Sequence, residues 1–293
     1  MNLSKKFITS IVFVFLLALN TICLAENISN EEEYSERIAY YTMMIEQNPN
    51  DGDMYFNRAL AYAKMGGTMN AINDYSKAIE LNKNDVEAYF NRGFLYYNIN
   101  ELEKAVNDLS KAIKIKDDYA QAYAVRGVIY HAMDKNDDAI DSLTKAIKLD
   151  PKFYAIRGII YHDCNENEKA LADYNKALEQ NPNEEIYTNR GILYTKLGNN
   201  ENALADFNKA IELNPNSDKA YYNRGLLYMN LQDNEKAIND FTKVIEINPK
   251  SAEAYQNRGT VYQALGDINK SASDFERAKQ IKMPQNISIQ KEG

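Results

Sequence analysis

Positive charge is in short supply in this sequence. The chain has 34 Lys and Arg against 42 Asp and Glu, a formal charge of −8 that becomes −10 once Lys5 and Lys6, the only charges in the first 25 residues, are set aside. Nucleic acids and anionic membranes need a basic footprint, so neither is an expected partner. Histidine occurs only at His131 and His162, and cysteine only at Cys23 and Cys164. Loss of an N-terminal leader would leave Cys164 alone, which excludes an internal disulfide and leaves stability to packing. No catalytic nucleophile motif, phosphate loop or pair of opposed acids is present, and the reading is therefore non-catalytic, with no cofactor.

The N-terminus reads MNLSKKFITSIVFVFLLALNTICLAE: two lysines, an apolar run through Leu19, then a small residue, Ala25, followed by charge. This is the pattern of a secretory signal peptide covering residues 1–25. Thr9, Ser10, Asn20 and Thr21 keep the uninterrupted apolar stretch below the roughly 20 residues of a membrane span. The expectation is an exported protein, periplasmic or extracellular, without a stable membrane anchor after cleavage.

Beyond residue 50 the chain repeats itself. Arg58, Arg92, Arg126, Arg157, Arg190, Arg224 and Arg258 follow one another at intervals of 34, 34, 31, 33, 34 and 34 residues. A period of this size means an array of structural units. A tyrosine stands three residues before each Arg (Tyr55 through Tyr255) and another four residues after it (Tyr62 through Tyr262). Glycine follows the Arg in every unit but the first, which has Ala59. Thirteen residues after the Arg stands an alanine, replaced by Ser271 in the last unit. Each unit thus reads as a helical hairpin: a first helix with its tyrosines on one stripe, a short polar linker, and a second helix with a small-bulky-small stripe such as Ala203, Phe207 and Ala210. Glycine opposite alanine would let the two axes approach closely. Pro49, Pro182, Pro215 and Pro249 end second helices.

The pattern Y-x2-R-G-x2-Y, then A-x3-F and a closing Pro, resembles the tetratricopeptide repeat (TPR). The resemblance implies an all-α fold, a right-handed superhelical α-solenoid of antiparallel helix pairs. Seven repeats are expected at 52–85, 86–119, 120–150, 151–183, 184–217, 218–251 and 252–285. A half-repeat or capping helix at 26–51 would precede them, and a flexible tail at 286–293 would follow. The 151–183 unit is reached through a short junction, so Tyr154 is expected to start its helix about a turn early.

The Arg column is unusual, since the family often has Leu there. Sixteen residues after six of the seven arginines stands an aspartate, giving the pairs Arg58–Asp74, Arg92–Asp108, Arg157–Asp173, Arg190–Asp206, Arg224–Asp240 and Arg258–Asp274; Arg126 has Ser142 instead. Across an antiparallel hairpin this offset brings the two side chains level, so buried structural ion pairs are expected rather than a ladder of free cations.

By the resemblance, the first helices line a concave groove. The residue before each Arg is Asn57, Asn91, Asn189, Asn223 or Asn257 in five units and Val125 or Ile156 in the middle two. Such a column resembles the asparagine ladder by which peptide-binding family members hold an extended ligand, an amide being able to pair with a peptide unit through both its oxygen and its NH2. The same asparagines could instead bridge neighbouring repeats. Phe56, Leu60, Phe90, Phe94 and Tyr97 give the first two units an aromatic character, and Val125, Val128, Ile156 and Ile159 give the middle an aliphatic one that either contacts a ligand or packs between helices.

His131 and His162 occupy equivalent positions, with Asp163 and Cys164 close behind, but Cys164 falls where other units have Leu197, Leu231 or Leu265, which suggests a buried, inert thiol. The expected function is a non-catalytic scaffold of the envelope or secreted fraction that binds an extended peptide or protein segment. One alternative is a self-associating assembly or biogenesis factor, a possible homo-oligomer acting through an uncapped C-terminal repeat. A more distant one is a metal- or thiol-dependent enzyme using His131, His162 and Cys164.

Overall fold

The computed structural model describes residues 31–283; the signal peptide expected at 1–25 and the tail expected at 286–293 lie outside them. Among the described residues there are fifteen α-helices, one 3-10 turn and no strand. They fall into two compact units, the first ending at Cys164 and the second beginning at Asn165.

In the first unit, α1 (Glu31–Gln47) is followed by the pairs α2 (Gly52–Lys64) and α3 (Thr68–Leu81), α4 (Val86–Asn98) and α5 (Leu102–Ile115), and α6 (Ala120–Ala132) and α7 (Asn136–Leu149). The unit ends with a 3-10 turn, Pro151–Phe153, and α8 (Tyr154–Asp163). In the second unit, α9 (Asn167–Gln180) is followed by the pairs α10 (Glu184–Lys196) and α11 (Asn200–Leu213), α12 (Asp218–Asn230) and α13 (Asn234–Ile247), and α14 (Ala252–Ala264) and α15 (Ile268–Lys282). The division between the units falls inside the expected 151–183 repeat. The short junction before α8 is taken up by its first turn: the other first helices begin three residues before their tyrosine or earlier, whereas α8 begins at Tyr154 itself, after the 3-10 turn.

The caps explain where the first helices start. Asp85, Asn183, Ser217 and Ser251 each accept a hydrogen bond from the backbone N–H three residues on, satisfying one of the donors a helix start leaves open. Each first helix then ends in a residue of left-handed conformation, eight after its Arg: Gly66, Asn100, Asp134, Asn165, Gly198, Gln232 and Gly266. That single conformation reverses the chain and starts the second helix.

The alanines thirteen after the Arg, including Ala71, Ala105, Ala139, Ala203 and Ala237, are fully buried. The neighbouring glycine does more than face them. A Cβ on Gly127 would lie 2.8 Å from Leu143 Cγ and 3.0 Å from the Ala139 carbonyl, and one on Gly191 would lie 2.8 Å from Phe207 Cε1. The close approach therefore makes room chiefly for the large residue seventeen after the Arg, which packs against the glycine. These contacts form the core of each hairpin.

Candidate binding face and its supporting arginines

The arginines tie each first helix to its surroundings. Arg58, Arg92, Arg190, Arg224 and Arg258 each make a two-pronged bond to the aspartate sixteen residues on, at 2.7 to 2.9 Å from Nε and Nη2. The aspartates are buried. Arg126, which has no aspartate, donates to Ser142 Oγ at 3.4 Å. Arg157 and Asp173 belong to different units; Arg157 donates to Thr144 Oγ1 at 2.8 Å and Asp173 is buried.

Two further partners recur. The tyrosines three before and four after each Arg flank its guanidinium, at 5.4 to 6.0 Å from ring centre to Cζ in all seven cases. This is cation–π geometry, so these rings hold the arginine rather than merely filling space beside the glycine. The Nη1 of each Arg then reaches the preceding second helix, donating to Thr42, Ser76, Ser110, Thr144, Asn175, Asn208 or Thr242. Arg58 thereby ties α1 to the first hairpin.

The Arg58, Arg190 and Arg258 guanidiniums are held above their ordinary pKa chiefly by the aspartate hydrogen bond, with burial opposing it. For Arg92 and Arg224 burial is the largest influence and works to lower the value, but the bond and charge of the aspartate, with the flanking tyrosines, outweigh it and the value is raised. All five are charged structural groups, each with three of its N–H donors engaged by side chains.

First helices of successive repeats touch one another, α4 with α6, α10 with α12 and α12 with α14, and their outer stripe forms the candidate face. On it, Asn57 donates its amide back to the Asp53 carbonyl at 2.8 Å and Asn223 to that of Lys219 at 2.8 Å, while Asn257 donates across repeats to the Tyr222 hydroxyl at 3.0 Å. Asn189 is half-buried on α10. Asn91 lines a cavity of about 100 Å³ whose apolar wall is formed by Leu60, Ala63, Tyr75, Phe94 and Leu95. Tyr97 is half-buried, and burial pushes its phenol up to about 12.

Other expected groove residues lie deeper. Phe90 is buried, its ring 5.0 Å from that of Tyr119, because Tyr119 folds over it and donates to Glu87. Phe56 is half-buried and packs edge-on against Tyr75 at 5.5 Å. Val125, Val128, Ile156 and Ile159 are all buried, so the middle aliphatic set packs between helices and offers no ligand surface. Cys164 is half-exposed at the end of α8, and Leu197, Leu231 and Leu265 in the same column are exposed; that column lies at the helix ends, outside the core. His131 sits between Asn136 Oδ1, 2.8 Å from Nδ1, and Asp163 Oδ2, 3.1 Å from Nε2, so it bridges α6, α7 and α8. Among the described residues no three His, Cys, Asp or Glu side chains gather as a metal would need.

The structure adds residues to the second unit that the sequence reading passed over. Ile192, Tyr222, Leu226 and Met229 are partly buried apolar side chains on the first-helix face. They stand two residues from the Arg or five beyond it, the same columns that gave Leu60, Phe94 and Tyr97.

A stack of antiparallel helix pairs with an apolar and amide-lined first-helix face defines a helical-repeat interaction scaffold. The chain belongs to the tetratricopeptide repeat family: patterns described as TPR repeat match residues 69–100, 96–134, 158–198 and 191–232, and patterns described as tetratricopeptide repeat match 120–153, 218–251 and 241–272. Comparison with curated proteins finds no match. Among solved structures, the fold is similar to a tetratricopeptide repeat protein from Parabacteroides merdae (20% identity, 80% of this chain and 94% of that one, TM-score 0.64). It is also similar to PilW, described as a type IV pilus biogenesis factor (20%, 69% and 95%, 0.60), and to Pseudomonas aeruginosa PilF (19%, 67% and 91%, 0.59). At these identities the likeness is one of fold.

Proposed function

We propose that the protein is an exported scaffold that binds an extended protein segment along the first-helix face, with apolar anchors providing most of the affinity. The observation that carries this reading is the open apolar notch between α2 and α4, where Leu60, Phe94 and Leu95 sit beside the amides of Asn91 and Asn98. Apolar surface next to fixed polar groups is the usual make-up of a recognition site. Within the second unit, Ile192, Leu226 and Met229 give its own first helices the same apolar character. The asparagines are secondary: Asn57, Asn223 and Asn257 each use one amide hydrogen within the protein, which leaves the Oδ1 acceptor and one N–H of each for a ligand's backbone.

Export rests on the N-terminal pattern, and the exported chain is expected to begin at Glu26, which N-terminal sequencing checks. Binding is tested by panning the purified chain against a library of extended peptides. Phe94→Asp should abolish selection of peptides with an apolar anchor and leave the circular dichroism spectrum unchanged. Equal recovery of such peptides by the variant would refute the notch as the site.

A further inference from the structure

The two terminal helices carry matching exposed stripes. On α1, Glu32, Glu36, Tyr40 and Met43 are all exposed and recur at helical spacing, so they share the face turned away from the residues that pack on α2. Tyr40 and Met43 are about half exposed, at 52% and 48%. On α15, Ile268, Ala272, Phe275, Lys279 and Lys282 form a stripe of the same period, with Phe275 half-buried against Gly259; Phe275, Lys279 and Lys282 border a hollow of about 440 Å³ with Gln256 of α14, Ala278 and Met283, and Lys282 donates to Gln256 Oε1 at 3.0 Å. The corresponding side of α3, α5, α11 and α13 is covered by the first helix of the next repeat. No described residue covers it on α15.

Charge and polarity run in opposite directions along the two stripes. From its N-terminal end, α1 presents two acids and then two large apolar groups; α15 presents apolar groups and then two lysines. Laid antiparallel, Glu32 meets Lys282, Glu36 meets Lys279, and Tyr40 and Met43 meet Phe275, Ala272 and Ile268. At about 1.5 Å per residue, the four positions on α1 and the matching positions on α15 span similar lengths. The helices also differ in overall charge: α1 holds five acids and one base, α15 four bases and two acids. Glu276 and Asp274 are the acids on α15; Glu276 accepts from Gln280, and Asp274 is buried against Arg258.

We propose that α1 of one copy docks antiparallel on the open face of α15 of another, so that the chain associates head to tail. Each copy offers both faces, so the contact is heterologous and propagates into a ring or a filament. The surface meets the first-helix face only at Gln256 and leaves the notch between α2 and α4 free for the segment proposed above.

Sedimentation of the purified protein over a wide concentration range tests the proposal. Mass should rise with concentration and fall back when salt is added. Lys279→Glu with Lys282→Glu should weaken association by at least about tenfold, and so should Glu32→Lys with Glu36→Lys. An equimolar mixture of the two double variants should associate again, because each then supplies the face that the other complements. Peptide binding and melting temperature should be unchanged in both. A chain that stays monomeric at every concentration in low salt overturns the proposal, as does association that ignores both charge reversals. If the full chain is monomeric and a chain ending at Met283 associates, residues 284–293 occupy the α15 face and the head-to-tail contact is refuted.

Discussion

Removing Asp240 tests whether the repeated arginine is a buried structural ion. Arg224 is bound by Asp240 through Nε at 2.9 Å and Nη2 at 2.7 Å, by Asn208 Oδ1 at 2.5 Å through Nη1, and by the rings of Tyr221 and Tyr228. The side chain of Asp240 is 6% exposed and that of Arg224 is 18% exposed. Asp240→Ala leaves a guanidinium in that setting without its counter-ion. Breaking a buried pair in this way costs about 3 to 5 kcal/mol. Asn208, the two rings and the residual solvent contact remain, which places the expected cost near the lower figure, about 3 kcal/mol. Arg224→Met combined with Asp240→Ala removes both charges together and should cost only about 1 kcal/mol, mostly from imperfect filling of the space.

The contrast between single and double variants is the measurement. Long repeat arrays need not unfold in one step, so urea titration should be paired with native-state hydrogen exchange read at α12 and α13. Loss of protection is expected there in Asp240→Ala and near-recovery in the double variant, a difference of about 2 kcal/mol between the two. If Asp240→Ala unfolds within about 0.5 kcal/mol of the parent chain, the range of an ordinary surface change, or if the two substitutions simply add, the ion pair is not what holds this hairpin.

Gln232 occupies the left-handed turn position at φ 59°, where an L side chain without local stabilisation costs about 1 kcal/mol; Gln232→Gly should raise stability by up to that amount in urea titration. Gly191→Ala should lower stability by about 1 to 3 kcal/mol, since its Cβ would fall 2.8 Å from Phe207 Cε1, and thermal melting followed by circular dichroism reads the loss. Asn257→Ala and Tyr222→Phe should each cost about 0.5 to 1.5 kcal/mol through the same inter-repeat bond; additive losses in the double variant would show that the bond contributes nothing.

What could be read in the sequence and what could not follow from the reach of each interaction. The Arg–Asp pairing is legible because both partners lie in one hairpin at a constant offset of sixteen and keep one letter each. The donor bond to the preceding repeat is hidden, since its acceptor column runs Thr, Ser, Ser, Thr, Asn, Asn, Thr and shares a function rather than a residue type. The tyrosines were visible as columns, but a spacing of three before and four after places them beside the Arg as readily as beside the glycine, and only geometry separates these roles. Phe56 and Phe90 show the same limit: they occupy one column, yet Phe90 is buried beneath Tyr119, which belongs to the end of its own repeat. Exposure on the first-helix face is thus decided by residues some thirty positions away.

The three-way grip of the five aspartate-paired arginines also bears on how the array holds together. A leucine in that position could bury surface only where it stands, whereas the guanidinium of Arg58, Arg92, Arg190, Arg224 and Arg258 joins its own second helix through the aspartate and the previous second helix through Nη1. Stability in a repeat array is a sum of hairpin terms and nearest-neighbour terms, and here one side chain contributes to both. Its loss should therefore loosen two junctions at once, and the effect should be greatest for arginines inside the array. Arg126 is the natural weak point, because it bonds two serines, at 3.4 and 3.1 Å, and has no carboxylate. Placing Asp at Ser142 would supply the missing partner beside an existing guanidinium. Restored exchange protection in α6 and α7 would show that the aspartate column sets local stability, whereas unchanged protection would assign that role to the tyrosines.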